Sequence, residues 1–339
     1  MNPASPPTPT PGRSPALILV FLAPLLAEVL PGATRFSSLF VFPIEMCVWG
    51  GGALMIREAA RRWALGWRNV LFLALALSVA EECVIQQTSL APMVIQLKGQ
   101  VYARAVGLNY VYFLWALVYE TVFVVFLPIQ LAELIFPRWR REPWLGRAAL
   151  IVTPVLFVAG SFLAWFSWTQ IARTKVFHQP AFNPPLVAVL AALVLIVGLV
   201  YTAVGPYRRW AARPSAPLPP PASWVPGVAG GVWAVPLYGL VVLGFGLAPA
   251  FPPLFAVATG LALIVAAILT VPRWSAHPAW DQTHRFSLVF GTLLGAMLVS
   301  FVGFIGAARL DLYFKIAVDL AAAGYLVFLG RRIRSRTTA

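Results

Sequence analysis

Apolar residues fall along this chain in long blocks, separated by short polar segments rich in Arg, Trp, Pro and Gly. Most blocks approach the ~20 residues that a helix needs to cross a bilayer. They predict ten spans, at Pro15–Leu30, Ser38–Ile56, Arg68–Leu90, Leu108–Phe136, Ala148–Trp168, Pro184–Gly205, Val228–Leu247, Phe251–Val271, Phe286–Ala307 and Asp311–Leu329. The first is short for a span and calls for local thinning or tilt. The expected fold is therefore all-α, a polytopic integral membrane bundle over residues 15–331. Residues 1–14 are Pro-rich and expected to be disordered, and residues 332–339 form a basic tail. A Pro-rich linker at 213–227 separates the sixth and seventh spans. Five helices on each side of it would permit an inverted repeat, but the halves share no residue-level similarity.

Composition removes the soluble alternative. Of 339 residues, 60% are hydrophobic and 11% charged, with a mean hydropathy of +0.82. The net charge of +14 brings nucleic acid to mind. Its arginines, however, sit in short loops between apolar blocks, and no basic run interleaved with aromatics is present. With the amino terminus inside, the inner loops hold Arg57, Arg61, Arg62 and Arg68, then Arg138, Arg140, Arg141 and Arg147, with further clusters after spans six, eight and ten. Outer loops hold only Arg35, Lys98, Arg104, Arg173, Lys175 and Arg309. The positive-inside rule then places both termini in the cytoplasm of a bacterial-type inner membrane. Trp63, Trp67, Trp139, Trp144 and Trp210 beside those arginines suit the headgroup layer. Arg13 alone precedes the first span, Glu28 lies inside it and Pro31 follows it, so it reads as an uncleaved helix rather than a signal peptide.

Acidic residues are where the chemistry concentrates. Counting ~1.5 Å per residue puts Glu45, Glu81, Glu82 and Glu120 near one depth on three successive spans, with Glu28 and Glu133 nearer opposite surfaces. A carboxylate at the bilayer centre costs at least ~2.5–3.5 kcal/mol, so such groups face a bundle interior or a wet cavity. Spans one to nine offer no Lys, Arg or His at that depth. Lys315 in span ten has Asp311 and Asp319 one turn away on its own helix. Bound protons, a bound cation or water remain to neutralise the glutamates. Helical spacing lines Glu82, Gln86 and Ser89 in one stripe and Glu81 and Thr88 in the next, while Tyr112 and Tyr119 flank the approach to Glu120. The bland alternative is interhelical hydrogen bonding.

Other groups read as structural. Cys47 and Cys83 share the glutamates' depth, beside Met46, but a metal site there is less expected than ordinary packing. His277, Asp281 and His284 form a loop spacing that would hold zinc only weakly, and His178 has no sequence partner. Gly50, Gly51 and Gly52 lie in an apolar span and suit close helix packing or a hinge. No Walker, G-x-S-x-G or H-E-x-x-H motif occurs, and no cofactor is implied.

The run Glu81-Glu82-Cys83-Val84-Ile85-Gln86 resembles the first motif of the CPBP intramembrane proteases, bacterial relatives of the CAAX-processing enzymes. Gln86 stands where that family has arginine, and Glu120, in Ala116-Leu117-Val118-Tyr119-Glu120, stands where it has histidine. The resemblance covers spans two to four and implies a peptidase in which Glu81 activates water and Glu82 supports it. Spans two to four also resemble bacterial polytopic membrane proteins of no assigned activity.

Three functions follow as expectations. The first is a secondary transporter that binds a proton or cation through Glu45, Glu81, Glu82, Gln86, Tyr119 and Glu120 and moves a small substrate. The second is a CPBP-like peptidase using Glu81, Glu82 and Glu120, and the third is a non-catalytic scaffold. Membrane lipid is the one partner that every reading shares.

Overall fold

The computed structural model describes residues 14–92, 103–211, 213, 215–241, 247, 248 and 250–337. The Pro-rich start expected to be disordered lies outside these, apart from Ser14, as do Lys98 and most of the expected end of span seven. Each predicted span coincides with a helix: α1 (Ser14–Val29), α2 (Phe36–Arg62), α3 (Trp67–Ala80, prolonged through Glu81–Ile85), α4 (Tyr110–Ile135) and α5 (Arg147–Val176). Then come α6 (Leu186–Val204), α7 (Val225–Val241), α8 (Pro253–Ser275), α9 (Gln282–Phe304) and α10 (Arg309–Thr337). Seven of these are long and apolar enough to cross a membrane: α2, α4, α5, α6, α8, α9 and α10. Helices α1 and α7 are apolar but shorter, and α3 is set apart by Arg68, Glu81 and Glu82. The molecule is thus an α-helical membrane protein.

Only one hairpin interrupts the helices among the described residues. Strands β1 (Arg104–Ala105) and β2 (Leu108–Asn109) pair antiparallel across Val106 and Gly107, at φ of 51° and 80°. Two positive φ values in succession make the tight turn that matches strand twist. Residues 108 and 109, expected to begin the fourth span, belong to this hairpin. Helix α3 also stops earlier than expected: Gln87 takes a φ of 60°, and 86–92 becomes a turn rather than another helical one. Helix α10 runs longer, so the basic residues 331–336 continue it.

Helices α1 to α4 form the inner bundle, with α1 against α2 and α4, and α3 against α4. Helices α5 and α6 cover its outside, α5 on α2 and α6 on α3, and expose rows of large apolar side chains such as Val155, Phe162, Val187 and Val194. Helices α7 and α9 pair tightly and lean on α4, with α8 and α10 at their flanks. The linker at 213–227 therefore does not divide two bundles. It lies across helix ends instead, with Leu218 N–H donating to the Arg273 carbonyl at 3.0 Å and Trp67 Nε1 to Ser215 Oγ at 3.1 Å.

Glycines and prolines decide the local geometry of α1 and α2. Pro24 has no N–H to give the Val20 carbonyl, and α1 widens into a π-helical turn over Leu25–Val29 directly after it. Gly50 of α2 packs on that freed Val20 backbone, where a Cβ would stand 2.8 Å from Val20 Cα. Gly52 faces Leu77 of α3 just as closely, at 2.7 Å from Leu77 Cδ2. The Gly50–Gly52 run thus serves close packing.

Candidate functional site

Each of the first four helices carries a π-helical turn, and each turn sits at a glutamate. Glu28 lies within Leu25–Val29 of α1; Glu45 directly precedes Met46–Gly50 of α2. Glu81 and Glu82 open the turn Glu81–Ile85 of α3, and Glu120 opens Glu120–Phe126 of α4. In α4 the cause is again a proline: Pro128 cannot bond the Val124 carbonyl inside the widened stretch. A π-turn costs regular hydrogen bonding, and such turns concentrate at functional positions.

The side chains meet inside the bundle. Glu45, Glu81, Glu82 and Glu120 are all buried, and together with Glu28 they lie within electrostatic reach of one another. Glu28, expected near a surface, belongs to this group. No ion pair among the described residues includes any of the five. Thr34 Oγ1 donates to Glu45 Oε1, while Glu45 Oε2 has no partner. Glu82 is the hub: Ser89 Oγ donates to its Oε2 at 2.6 Å, and its carboxyl lies beside Tyr112 and Glu120. Neither oxygen of Glu81 has a partner, and Glu120 Oε2 has none.

Ser89 reaches Glu82 by a route that the helical stripe did not foresee. Because the chain turns after Gln86, Ser89 folds back over the end of α3 and its N–H also bonds the Glu82 carbonyl at 3.2 Å. Gln86 closes the π-turn through its N–H to Glu81 O at 2.9 Å and is half-buried. The turn is held by residues that sequence reasoning missed. Asn109, fully buried, donates from Nδ2 to the carbonyls of Thr88 and Ala91 at 3.1 and 2.8 Å and receives Arg104 Nη1 at 2.8 Å. Arg104 also bonds Leu90 O at 2.6 Å, and Arg173 bonds Pro92 O at 2.8 Å. The one visible signal was an Asn opening an otherwise apolar helix.

Tyr119 is committed to helix packing. Its hydroxyl donates to the Ala27 carbonyl beside Glu28, and its ring stacks between Trp115 and Phe123 at 4.5 and 4.9 Å, with Tyr238 of α7 edge-on at 5.6 Å. This aromatic ladder ties α4 to α1 and α7 next to the carboxyls.

A second ionic group lies at the other end of α2 and α4. Glu133, nearly inaccessible, meets Arg57 Nε at 3.3 Å, Arg285 Nη2 at 3.4 Å and the Arg61 guanidinium. Glu58 meets Arg62 Nε at 3.2 Å and Arg57 Nη1 at 3.5 Å, and accepts from Trp144 N–H at 2.5 Å. Arg57, expected in a loop, is buried; it stacks on Trp144 at 3.2 Å and donates to the carbonyls of Trp139, Arg140 and Glu142. Trp144 is accordingly buried within the protein. Glu58 escaped notice in sequence because it sits among arginines that read as a solvated positive loop.

Remaining groups are placed as follows. Lys315 Nζ donates to Leu30 O at 2.7 Å, to Met297 O at 3.3 Å and to Asp319, so it anchors the end of α1. Asp311 leaves Lys315 to its neighbour and instead accepts from Ser37 N–H and Oγ at 3.0 and 3.1 Å. Cys47 and Cys83 are free thiols, and no cluster among the described residues has metal-binding geometry. His284 contacts Asp281 Oδ1 at 2.7 Å and Pro221 O at 3.1 Å, whereas His277 accepts from Ala279 N–H at 3.1 Å. Asp281 caps α9 by accepting from the N–H groups of Thr283 and His284 at 2.9 and 3.0 Å. Burial pushes the Asp281 carboxyl up, but hydrogen bonds from His284 and Thr283 prevail and hold it below the usual range. Its stabilising effect is therefore present above the ordinary carboxylate range and lost as pH falls through the depressed value. Asp281→Ala is expected to cost about 1 kcal/mol near neutral pH, with the gap to wild type closing on acidification in thermal unfolding curves.

Comparison with protein-family models, with curated proteins and with solved structures gave no match.

Proposed function

We propose that this chain is a secondary transporter of a bacterial inner membrane, with ten spans and both termini cytoplasmic, in which the glutamate cluster carries a coupling proton or cation. One observation supports this above the others. Five carboxyls with no basic partner among the described residues converge on four successive helices, each widened by a π-turn beside its glutamate. The closeness of the Glu82 and Glu120 carboxyls favours the proton as the bound species, because two carboxylates sharing a buried site disfavour joint ionisation. Widened helices at mid-membrane supply the loosened backbone that transporter sites use. The arginine–glutamate group at the far end of α2 and α4 is suited to close that side while the carboxyls face the other.

The expected proton linkage has a definite sign. A cluster that carries a proton when folded would release it in the unfolded chain above the ordinary carboxylate range, so the proposal predicts that stability falls as pH rises above ~5, by up to ~1.4 kcal/mol per pH unit for each proton held. Unfolding of the purified protein across pH should show this slope, and Glu82→Gln/Glu120→Gln should flatten it. A flat wild-type profile rejects the linkage. Buried neutral packing groups would give the same slope, so access is the second readout. Cys83, buried next to Glu82, should react with a water-soluble maleimide in a Cys47→Ser background, and the rate should change in the Glu82→Gln variant. A thiol that never reacts favours the scaffold. The peptidase reading has Glu81 as its support, since both of its buried carboxyl oxygens are without a hydrogen-bond partner. Cleavage of a membrane peptide that disappears in Glu81→Gln would replace transport by proteolysis.

A further inference from the structure

We propose that the groove between α7, α9 and α10 is a binding site for one anionic phospholipid of the surrounding membrane. The groove encloses about 670 Å³, within the range of small-molecule sites. Its floor is the glycine seam: Gly227 and Gly231 of α7 meet Gly291 and Gly295 of α9 backbone to backbone, and the groove runs along that seam. These glycines are consumed by the contact between α7 and α9, so the trough is not a spare helix-pairing stripe.

The two ends of the groove differ in chemistry. At one end Arg331 and Arg334, both exposed on α10, line the groove together with Ser223, Thr283 and Ser287, and no carboxylate is among its described lining residues. Trp224, 65% exposed, marks the same end, and its amphipathic ring suits the headgroup layer. Guanidinium forks match a phosphate diester. Away from that end every lining residue is apolar, and Val228, Val232 and Leu298 stay open to the side, at 56%, 67% and 62% exposure. The lining runs from Thr283 to Leu298 on α9, which is roughly 22 Å of helix. That reach covers one leaflet, half of a ~30 Å hydrocarbon core plus its headgroup layer. Charge at one end and a leaflet-deep apolar trough below it define a phospholipid with a net negative head.

The test uses the purified full-length protein in a mild detergent, titrated separately with phosphatidylglycerol and phosphatidylcholine. Native mass spectrometry reads bound lipid, and thermal unfolding reads stabilisation, which grows as ln(1 + [L]/Kd). Phosphatidylglycerol should bind at least about tenfold more tightly than phosphatidylcholine. Arg331→Gln/Arg334→Gln should abolish that preference, and Leu298→Trp should weaken both lipids by filling the trough. These side chains are exposed, and the lipid-free unfolding temperature of each variant is compared with wild type so that any stability loss is read apart from lipid binding. Equal binding of the two lipids, or a preference that survives the arginine changes, overturns the proposal. So does a dimer whose interface shields Leu298, since a second copy would then be the occupant.

Discussion

Glu133→Gln is expected to destabilise the protein by about 3–5 kcal/mol, the usual consequence of removing one partner from a buried ionic group. Four guanidiniums, of Arg57, Arg61, Arg62 and Arg285, are gathered here around two carboxylates, Glu58 and Glu133, for a net of +2. Carbonyls of Trp139, Arg140, Glu142 and Leu145 and the side-chain oxygen of Gln130 absorb the excess through hydrogen bonds. Glutamine at 133 keeps the shape but leaves four cations facing one anion, with Arg57 only 1% exposed and unable to retreat to water. Arg61, at 29%, can. Adding Arg61→Gln to the variant should therefore recover part of the loss, because it removes a cation that Glu133 was needed to balance. Reversible unfolding in detergent measures both. Additive losses in the double variant would mean that the group is a set of independent surface pairs, which are worth little each.

What could be read in the sequence was whatever depends on counting. Helix positions follow from apolar length, and the convergence of Glu45, Glu81, Glu82 and Glu120 on one interior follows from helical rise. What escaped depends on how the backbone departs from a regular helix. Residue counting puts Glu28 toward a surface, but it sits in a π-turn of α1 and faces the same interior as the others. Ser89 was aligned with Glu82 as a helical neighbour, yet it reaches Glu82 only because the chain turns at Gln87 and Asn109 holds that turn. Pro24 and Pro128 were visible signals for widened turns, since each deletes a helix hydrogen bond. Positive charge misled in a different way. A loop rich in arginine satisfies the topology rule whether its side chains meet lipid headgroups or, like Arg57, close inward on carboxylates. Only tertiary packing separates the two cases.

Gly291→Ala should also cost heavily, about 3 kcal/mol, although it adds one methyl to an apolar helix that alanine favours. The added carbon would lie 2.5 Å from the Gly227 carbonyl carbon and 2.7 Å from its Cα. Both are backbone atoms, so no rotamer can yield and α7 must move off α9. Gly295 repeats the arrangement one turn on, where a Cβ would lie 2.7 Å from the Gly231 carbonyl oxygen. Gly324→Ala is the matched control. It sits within α10 with nothing inside 4 Å of the added carbon, so helix propensity alone should make it neutral or stabilising by up to about 1 kcal/mol. Opposite signs for the two substitutions in the same unfolding assay would show that α7 and α9 are held by backbone contact, the bond on which the trough beside them depends. Gly291→Ala should then also weaken phosphatidylglycerol binding, whereas Gly324→Ala should leave it unchanged. If both substitutions behaved alike, the contact between α7 and α9 would have to be looser than the fit of Gly291 on Gly227 implies, and the trough would lose its floor.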